Sequence, residues 1–181
     1  MVQQFRPRVQ RWLRLRFQSG FSEWLSNVYY EEDLVALINL ADFAPDASIR
    51  QQAAMVADLV LLDIAGNQFK GTFGSTHGRS YERHKIDGAH DSTGSVLWLA
   101  SGLNHRRPGG MGAVTLALAT RYRIPRVIAT VATDPAPWRE TRQRIGIRLA
   151  EADQWGLDTG NLEHGMDFLT LEAYCHPRTI N

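Results

Sequence analysis

The stretch 29–69, YYEEDLVALINLADFAPDASIRQQAAMVADLVLLDIAGNQF, decides the fold class of this chain of 181 residues. Apolar residues recur in it every three or four positions, which is the period of a helix with one buried face. The two apolar stripes consist of Leu34, Leu37, Ile38 and Ala41, and of Ala53, Val56, Leu59, Val60 and Ile64. The stretch therefore predicts two amphipathic helices.

The segment FAPDAS between the stripes contains the signals that end one helix and start the next. Pro45 disfavours helical geometry in the residue before it, so the first helix should span about 30–43. The segment 48–51 has the form of a capping box, and Asp46 is an alternative cap. The second helix should then run over about 49–69. Two helices joined by so short a linker predict an antiparallel helical hairpin.

Helical spacing recurs along the rest of the chain. It appears in the stripe Val9, Trp12, Leu13 and Phe17, in Ser95–Leu103, in MGAVTLALATRY (111–122), in IPRVIATVAT (124–133) and in NLEHGMDFLTLEAY (161–174). The β-branched run 124–133 leaves a strand open as an alternative, although Pro125 suits a first helical turn. Asn161 is expected to begin the last helix. The sequence thus predicts one all-α domain over 1–181, built from antiparallel helical hairpins with long loops on one face.

Composition and charge exclude several classes of protein. The hydrophobic share of 44% and the charged share of 22% are ordinary for a globular domain. The sequence contains no run of about 18 apolar residues, so it predicts no membrane span. The N-terminus lacks the apolar core of a secretory signal. We therefore expect no membrane partner; the compartment stays open, with the cytoplasm as default, and so does the oligomeric state.

Charge and cysteine content add little about partners. Basic and acidic residues number 20 and 19, so the net charge identifies no ligand. Before Glu23 there are arginines and no acidic residue: Arg6, Arg8, Arg11, Arg14 and Arg16. This face could bind phosphate or an anionic polymer, or it could be solvated, and nucleic acid is not expected as a partner. The single cysteine, Cys175, excludes an internal disulfide and a cysteine-based zinc site.

The segment 70–94, KGTFGSTHGRSYERHKIDGAHDSTG, has no helical period. It is rich in glycine, serine, threonine and charge, so it cannot form a core. Ordered loops of this length are uncommon and usually functional. The histidines and aromatic residues argue against disorder. The segment therefore predicts a long functional loop.

Within this loop, STHGRSYERH (75–84) contains the strongest candidates for catalysis. If the segment is extended, His77, Arg79 and Tyr81 project to one side; if it is helical, His77 and Tyr81 still share a face. The functional interpretation is a proton-transfer pair beside a cation. A tyrosine hydroxyl is a poor base at neutral pH unless a nearby cation favours its phenolate. The alternative is a surface loop that satisfies its own backbone.

The segment GFSEWLSNVYY (20–30) contains candidates for substrate binding. Trp24 and Tyr30 offer ring faces, and Glu23 offers a charge or a hydrogen-bond acceptor. Aromatic rings beside charged groups suit sugars, whose C–H faces pack on rings. The alternative is that Trp24 and Tyr30 anchor a helix start while Glu23 faces solvent.

His90 is a further candidate substrate contact, next to Asp91. Asp91 precedes a predicted helix start and can simply favour the helix dipole. The sequence contains no HExxH or paired-histidine spacing, no GxGxxG, no P-loop and no GxSxG. We therefore predict neither a metal site nor a cofactor.

The stretch GFSEWLSNVYYEEDLVALINLADFAPDASIRQQAAMVADLVLLDIA resembles a segment of bacterial (α/α)-toroid proteins related to heparinase-like polysaccharide lyases and some glycoside hydrolases. In those proteins a Gly-aromatic-x-Glu-Trp segment followed by Tyr opens a helical hairpin beside the sugar cleft. The resemblance covers residues 20 to 81 best. The resemblance lies in the order of residue types along the segment, and it includes no diagnostic motif.

The resemblance implies a ring of antiparallel helix pairs with a loop-lined cleft at one end. Glu23, Trp24 and Tyr30 would line this cleft, and STHGRSY would add the catalytic residues. The lyases of this group pair a Tyr or His base and acid with a group that neutralises a uronate carboxylate. By resemblance, Tyr81 or His77 would take the proton and Arg79 would face the carboxylate. A full toroid is longer than this chain, so we expect a fragment of one.

These observations predict a carbohydrate-active enzyme that cleaves a polysaccharide by β-elimination at a uronate. A glycoside hydrolase is the alternative within the enzyme class, and it needs paired carboxylates, of which Glu23 with Glu82 or Asp91 is the candidate pair. A helical module that binds a ligand without catalysis is the alternative outside that class.

Overall fold

The computed structural model describes residues 2–21, 23–103, 110–158 and 160–164. Its helices and strands in chain order are α1 Val2–Ser19, α2 Tyr29–Phe43, α3 Ala47–Gly66, β1 Gln68–Phe69, β2 Thr72–Phe73, α4 Glu82–Ile86, α5 Gly94–Ser101, α6 Met111–Leu118 and α7 Arg126–Thr133. Short 3₁₀ helices cover Gly88–His90 and Leu149–Trp155. The described part is thus mostly helical, as the all-α prediction requires. In these ranges no helix combines the length and the apolarity needed to cross a lipid bilayer.

The chain divides into two compact units, which we describe separately. The terminal unit consists of residues 1–24 and 142–181, and the central unit of residues 25–141. The terminal unit contains α1 and the 3₁₀ helix 149–155. The central unit contains α2 to α7 and the small β1–β2 sheet.

The core of the central unit forms where α2 packs along α3. In addition, α2 packs against α6, and α3 packs against α5 and α7. The buried residues of the two stripes are Leu34, Leu37, Ile38 and Ala41 on α2, and Ala53, Val56, Val60 and Ile64 on α3. Leu59 is partly buried. The predicted stripes are therefore confirmed, and their burial supplies most of the free energy that keeps such helices folded.

Of the two helix caps that the sequence left open, the structure uses Asp46. Its Oδ1 accepts hydrogen bonds from the backbone N–H groups of Ser48 at 2.8 Å and Ile49 at 3.3 Å. A carboxylate at this position also interacts favourably with the positive end of the helix dipole. The capping box over 48–51 is therefore not the start of α3.

The end of α3 differs from the prediction. The helix ends at Gly66, so its predicted extension to Phe69 was wrong. The strand β1 pairs antiparallel with β2. Lys70 and Gly71 connect the strands with positive φ angles of 49° and 85°, as a type I′ hairpin turn requires. Strand pairing has replaced the last predicted turn of the helix.

The run 124–133 forms a helix, α7, and not the alternative strand. Pro125 precedes its first residue as the N-cap. Ile128 and Ala132 are buried on the side that packs against α3 and α5. The helical prediction for this run is confirmed.

A buried carboxylate at the end of α2 fixes the segment between α6 and α7. Asp42 Oδ1 accepts hydrogen bonds from the N–H groups of Arg121 at 3.1 Å and Tyr122 at 2.8 Å. Its Oδ2 accepts from the N–H and the hydroxyl of Thr120. Burial alone would raise the pKa of Asp42, but these hydrogen bonds, led by that of Tyr122, lower it below its usual value.

In the terminal unit, α1 contributes to a small core. Leu15 is buried in a cluster with Ile147, Ala152 and Leu157, and Trp155 packs against this cluster. The backbone N–H of Gly146 donates to the carbonyl of Ser19. The end of α1 is thereby joined to the segment 146–157.

The predicted stripe of α1 needs a correction at its end. Phe17, assigned to the buried face, is 44% exposed, whereas Arg16, assigned to the solvated face, is 2% exposed. The Arg16 guanidinium lies 5.7 Å from the ring centroid of Trp12 and 5.2 Å from that of Phe21, and it donates to the carbonyl of Gly20 at 2.9 Å. An arginine stem can pack on rings while its head is hydrogen-bonded, so spacing alone misassigned it.

The last predicted helix is described at its start alone. Asn161 Oδ1 accepts hydrogen bonds from the N–H groups of Glu163 at 2.9 Å and His164 at 3.4 Å, as its predicted role as a cap requires. The rest of this helix, with Cys175, lies outside the described residues.

We predict that Asp42→Asn lowers the free energy of unfolding by about 2–3 kcal/mol, because an amide group would face donors that now meet a carboxylate. Since the pKa of Asp42 is lowered in the folded state, its contribution is present above the ordinary aspartate pKa and disappears as the pH falls through the lowered value. Urea unfolding at several pH values measures this effect.

The matched control for this variant is Glu32→Gln, on the exposed side of the same helix. It should change the free energy of unfolding by less than about 0.5 kcal/mol. Equal stability of the two variants would contradict the role given to Asp42.

Candidate functional site

The long loop after β2 lies against the entrance of α2. Ser26 Oγ donates to the backbone carbonyl of Arg79 at 3.3 Å, and it accepts from the N–H of Tyr29 at 3.2 Å. The guanidinium carbon of Arg79 lies 5.3 Å from the ring centroid of Tyr29, within the range of a cation–π contact. The part of the aromatic segment that belongs to the central unit therefore meets the loop.

Asp91 anchors the other end of the loop. Its Oδ1 accepts from Asn27 Nδ2 at 3.3 Å and from the N–H of Thr93 at 3.1 Å. Its Oδ2 accepts from the N–H of Phe73 at 3.3 Å and from Thr93 Oγ1 at 2.8 Å. The donors come from the entrance of α2, from β2 and from the entrance of α5. Asp91 thus does more than favour a helix dipole, because it ties three segments together.

The short helix α4 places a buried histidine behind Tyr81. The ring centroids of Tyr81 and His84 are 5.6 Å apart in an edge-on arrangement. Burial lowers the pKa of His84, and the charge of Arg83 lowers it further. His84 is therefore a neutral imidazole at pH 7, next to the half-exposed phenol of Tyr81.

Two donors point at the two nitrogens of His84. The N–H of Tyr81 lies 3.3 Å from Nδ1, and Arg83 Nε lies 3.1 Å from Nε2. A neutral imidazole accepts at one nitrogen and donates at the other. The ring consequently satisfies one donor in each tautomer, and it exchanges them when its proton moves to the other nitrogen.

His77 packs on the core through Phe73. The two rings are 5.0 Å apart, and Phe73 lies in turn 6.5 Å from Tyr30. Tyr30 is 2% exposed and donates from its hydroxyl to Asp63 Oδ2 at 2.8 Å. Burial, together with the charge of Asp63, raises the pKa of Tyr30. Tyr30 therefore supports the loop from inside and does not offer its ring to a ligand in solvent.

Glu31 is a buried carboxyl group at the same end of α2. It is 5% exposed, and its Oε2 accepts from the N–H of Gly112 at 2.8 Å. Its Oε1 is buried without a hydrogen-bond partner among the described residues. Burial raises the pKa of Glu31 to about 7; the Gly112 hydrogen bond opposes this rise and the charge of Asp91 adds to it. Glu31 therefore exchanges its proton near neutral pH.

Two glycines allow the entrance of α6 to approach Glu31. A Cβ atom at Gly110 would lie 2.9 Å from both carboxylate oxygens, and one at Gly112 would lie 2.9 Å from the Glu31 carbonyl oxygen. Carbon and oxygen do not pack that closely, so side chains at these positions would push α6 away. The sequence prediction missed Glu31, although its place in register with Leu34 and Ile38 puts an acid in an apolar stripe.

The remaining candidates for substrate binding are divided between the two units. His90 is exposed, with Nδ1 3.3 Å from Asp87 Oδ2. Trp24 is in the terminal unit, where its Nε1 donates to Gln143 Oε1 at 2.9 Å. Glu23 belongs to the same unit and is partly buried. The central unit thus contains the three catalytic candidates with His90, but not Glu23 or Trp24.

This arrangement can bind an anion and move protons. Arg79 provides an exposed guanidinium, and His77 and Tyr81 provide an imidazole and a phenol with accessible surface. The sequence prediction did not select His84 or Glu31; Glu31 provides a further group that exchanges its proton near neutral pH, and His84 provides an imidazole whose lowered pKa keeps it neutral. Within the described residues no cluster of histidine, cysteine, aspartate and glutamate is arranged to hold a metal ion.

Comparison with known proteins does not identify the site. The chain matches no model of a known protein family, no curated protein and no solved structure. The chemistry of the site therefore has to be argued from its own geometry.

We predict that Asp91→Asn lowers the free energy of unfolding by about 2–3 kcal/mol, since an amide would face at least one of the four donors. The loop 74–90 should then be cut faster by a protease under native conditions, because its anchor is weakened. Mass spectrometry of the fragments locates the cuts. Unchanged cleavage of this loop would rule out Asp91 as its anchor.

We predict that the stability of the protein depends on the protonation of Glu31. The folded state binds this proton more tightly than the unfolded chain, so stabilisation is fully present below about pH 4.5 and decreases as the pH rises through about 7. The loss amounts to at most about 3 kcal/mol. Glu31→Gln imitates the protonated form, so it should gain stability relative to the unmodified protein over this interval.

Urea unfolding of both proteins from pH 4 to 8 tests this prediction, with Glu32→Gln as the control. The control should follow the unmodified protein at every pH, because Glu32 is exposed. Parallel curves for Glu31→Gln and the unmodified protein would show that the carboxyl group titrates normally.

Proposed function

We propose that the central unit acts on a polysaccharide that contains uronate residues and cleaves it by β-elimination. The observation that supports this proposal is the segment 77–84, which contains an imidazole, a guanidinium and a phenol. Ser26 binds its backbone at Arg79, and Asp91 fixes the ends of the loop to which it belongs. Elimination at a uronate requires a base, an acid and a neutralising cation, and this loop contains one group of each type.

Each step of the reaction has a counterpart among these residues. A base removes the proton from the carbon next to the uronate carboxylate. The electron pair of that C–H bond forms a carbon–carbon double bond, and the glycosidic C–O bond breaks at the neighbouring carbon. The departing oxygen takes a proton from an acid. His77 and Tyr81 are assigned to the base and the acid, and Arg79 neutralises the charge that develops on the carboxylate.

The surroundings of these groups favour their roles. Stacking on Tyr29 limits the motion of the Arg79 guanidinium, so less entropy is lost when a carboxylate binds. The neutral imidazole of His84 lies behind Tyr81 and can exchange its tautomer when a proton moves nearby. His90, exposed at the end of the same loop, is assigned to substrate binding. The proposal does not depend on Glu23 and Trp24, which belong to the terminal unit.

The scaffold is consistent with part of an (α/α) toroid. In this scaffold α2 packs along α3, α6 packs against α2, and α7 packs against α3. Such a toroid is a ring of antiparallel hairpins, and we propose this arrangement for the central unit.

One observation favours a hydrolase as the second candidate. Glu31 and Asp91 are two carboxyl groups in one buried place, and Glu31 has the raised pKa that a general acid needs. Asp91, however, already accepts four hydrogen bonds, which leaves it little capacity to act as a nucleophile or base. Glu23, predicted to pair with Glu82 or Asp91, belongs to the terminal unit, so Glu31 with Asp91 is the pair to test.

We predict that the chain releases an unsaturated product from uronate polymers, which appears as new ultraviolet absorbance. Polygalacturonate, alginate and hyaluronan form the test panel. Tyr81→Phe should lower kcat by about 10²–10⁴-fold and leave polymer binding intact. The variant loses the hydroxyl group that transfers the proton but keeps the aromatic ring. Arg79→Gln should lower both kcat and affinity.

The control is Arg126→Gln, since Arg126 is an exposed arginine at the start of α7. It should retain full activity. New reducing ends without absorbance would favour the hydrolase, and Glu31→Gln should then abolish them. Binding of the polymer without any cleavage would leave the non-catalytic module as the function.

A further inference from the structure

The central unit contains a second feature that the proposed reaction does not use. A groove of about 590 Å³ lies between the β1–β2 hairpin and the segment that follows α7. Among the residues that line it are Phe69, Lys70, Ser75, Asp134, Trp138 and Arg139. Its volume is in the range of about 300–1,000 Å³ that ligand sites occupy.

The groove has two aromatic side chains that the fold does not need. Trp138 is 75% exposed and Phe69 is 69% exposed. Large rings with this much surface in water contribute little to the core. When they border one groove they mark a binding surface. Their rings provide flat apolar faces beside polar and charged groups.

Hydrogen bonds hold the segment after α7 in place. Arg139 Nη1 donates to the carbonyl of Ala65 in the last turn of α3 at 3.2 Å, and its Nη2 donates to the carbonyl of Asp134 at 3.0 Å. Asp134 Oδ1 accepts from the N–H of Ala136 at 3.0 Å. Pro135 and Pro137 restrict the backbone further. The backbone that carries Trp138 is therefore held in place before any ligand arrives, which reduces the entropy lost on binding.

The opposite wall is equally fixed. Gln68 Oε1 accepts from the N–H of Gly71 at 2.7 Å, and Gln68 Nε2 donates to the carbonyl of Ala132 at 2.6 Å. One side chain thus joins the hairpin turn to the end of α7. The ammonium of Lys70 lies 5.3 Å from the centroid of the Phe69 ring, so a cation accompanies the apolar face on this wall.

We propose that this groove binds a saccharide chain and is a subsite of the same polysaccharide site. Sugar rings combine an apolar C–H face, which packs on Trp138 and Phe69, with hydroxyl groups, which need polar partners such as Ser75 and Asp134. A groove open at the surface suits a polymer better than a closed pocket would. The cation of Lys70 suits an acidic sugar.

The groove is lined in part by residues of the loop that contains the proposed catalytic residues. Gly74 and Ser75 line it, and His77 follows on the same loop. Because the groove is lined by residues of the same loop, we place the reacting end of a polymer bound at Trp138 toward the segment that contains the proposed base. This inference rests on the proposed function, because the polymer that it places in the groove is the substrate of that reaction.

The test separates binding from turnover. Trp138→Ala should raise KM for the cleaved polymer about tenfold and leave kcat unchanged, since the ring is assigned to binding the sugar and not to the reacting atoms. In native gels that contain polygalacturonate or alginate, the unmodified protein should be retarded and Trp138→Ala should be retarded less. Phe69→Ala should act in the same direction.

Phe43→Ala is the matched control, because Phe43 is 71% exposed on α2, outside the lining of the groove. It should bind and cleave like the unmodified protein. Retardation that depends on Trp138 in a protein without turnover would support the subsite and refute the proposed reaction. Full turnover with an unchanged KM in Trp138→Ala would refute the subsite and leave the reaction standing.

Two further results would overturn the inference. One is the absence of retardation by every polymer of the panel. The other is a change of sedimentation coefficient in Trp138→Ala with unchanged gel retardation, because it would show that the ring contacts a second copy of the chain.

Discussion

The structure around the candidate site depends on the burial of one carboxylate, that of Asp91. A buried carboxylate is stable when donors surround it, and Asp91 has four of them from the entrance of α2, from β2 and from the entrance of α5. These segments are far apart in the chain. Their convergence on one side chain fixes where the long loop begins and ends, and so where His77, Arg79 and Tyr81 lie.

The same convergence has an electrostatic consequence for Glu31. Asp91 accepts four hydrogen bonds, whereas Glu31 accepts one from the described residues, that of the Gly112 N–H. The less satisfied of two neighbouring acids is the one that keeps its proton, and the raised pKa of Glu31 agrees with this. Glu31 satisfies the N–H of Gly112 at the start of α6, but its burial carries a desolvation cost that an apolar side chain would not have. Its presence favours a chemical role for this end of α2.

The candidate site was predictable where a local signal exists. The loop with His77, Arg79 and Tyr81 stands out because its composition cannot form a core. Tyr30 was harder to place, because a tyrosine near a helix start suits a cleft wall and a core equally well, and its partner Asp63 lies one helix away. The role of Asp91 was not predictable, because its donors become neighbours through folding alone.

Although the segment 70–94, predicted as one long loop, contains β2 and α4, the sequence by itself determined that the described chain is mostly helical and which faces of α2 and α3 are buried. These properties follow from spacing and composition within a few turns of chain. The tertiary structure decided which cap starts α3, that a hairpin replaces its last predicted turn, and that Trp138 and Phe69 border one groove. Those outcomes depend on contacts between residues distant in sequence, whose free energy no local pattern contains.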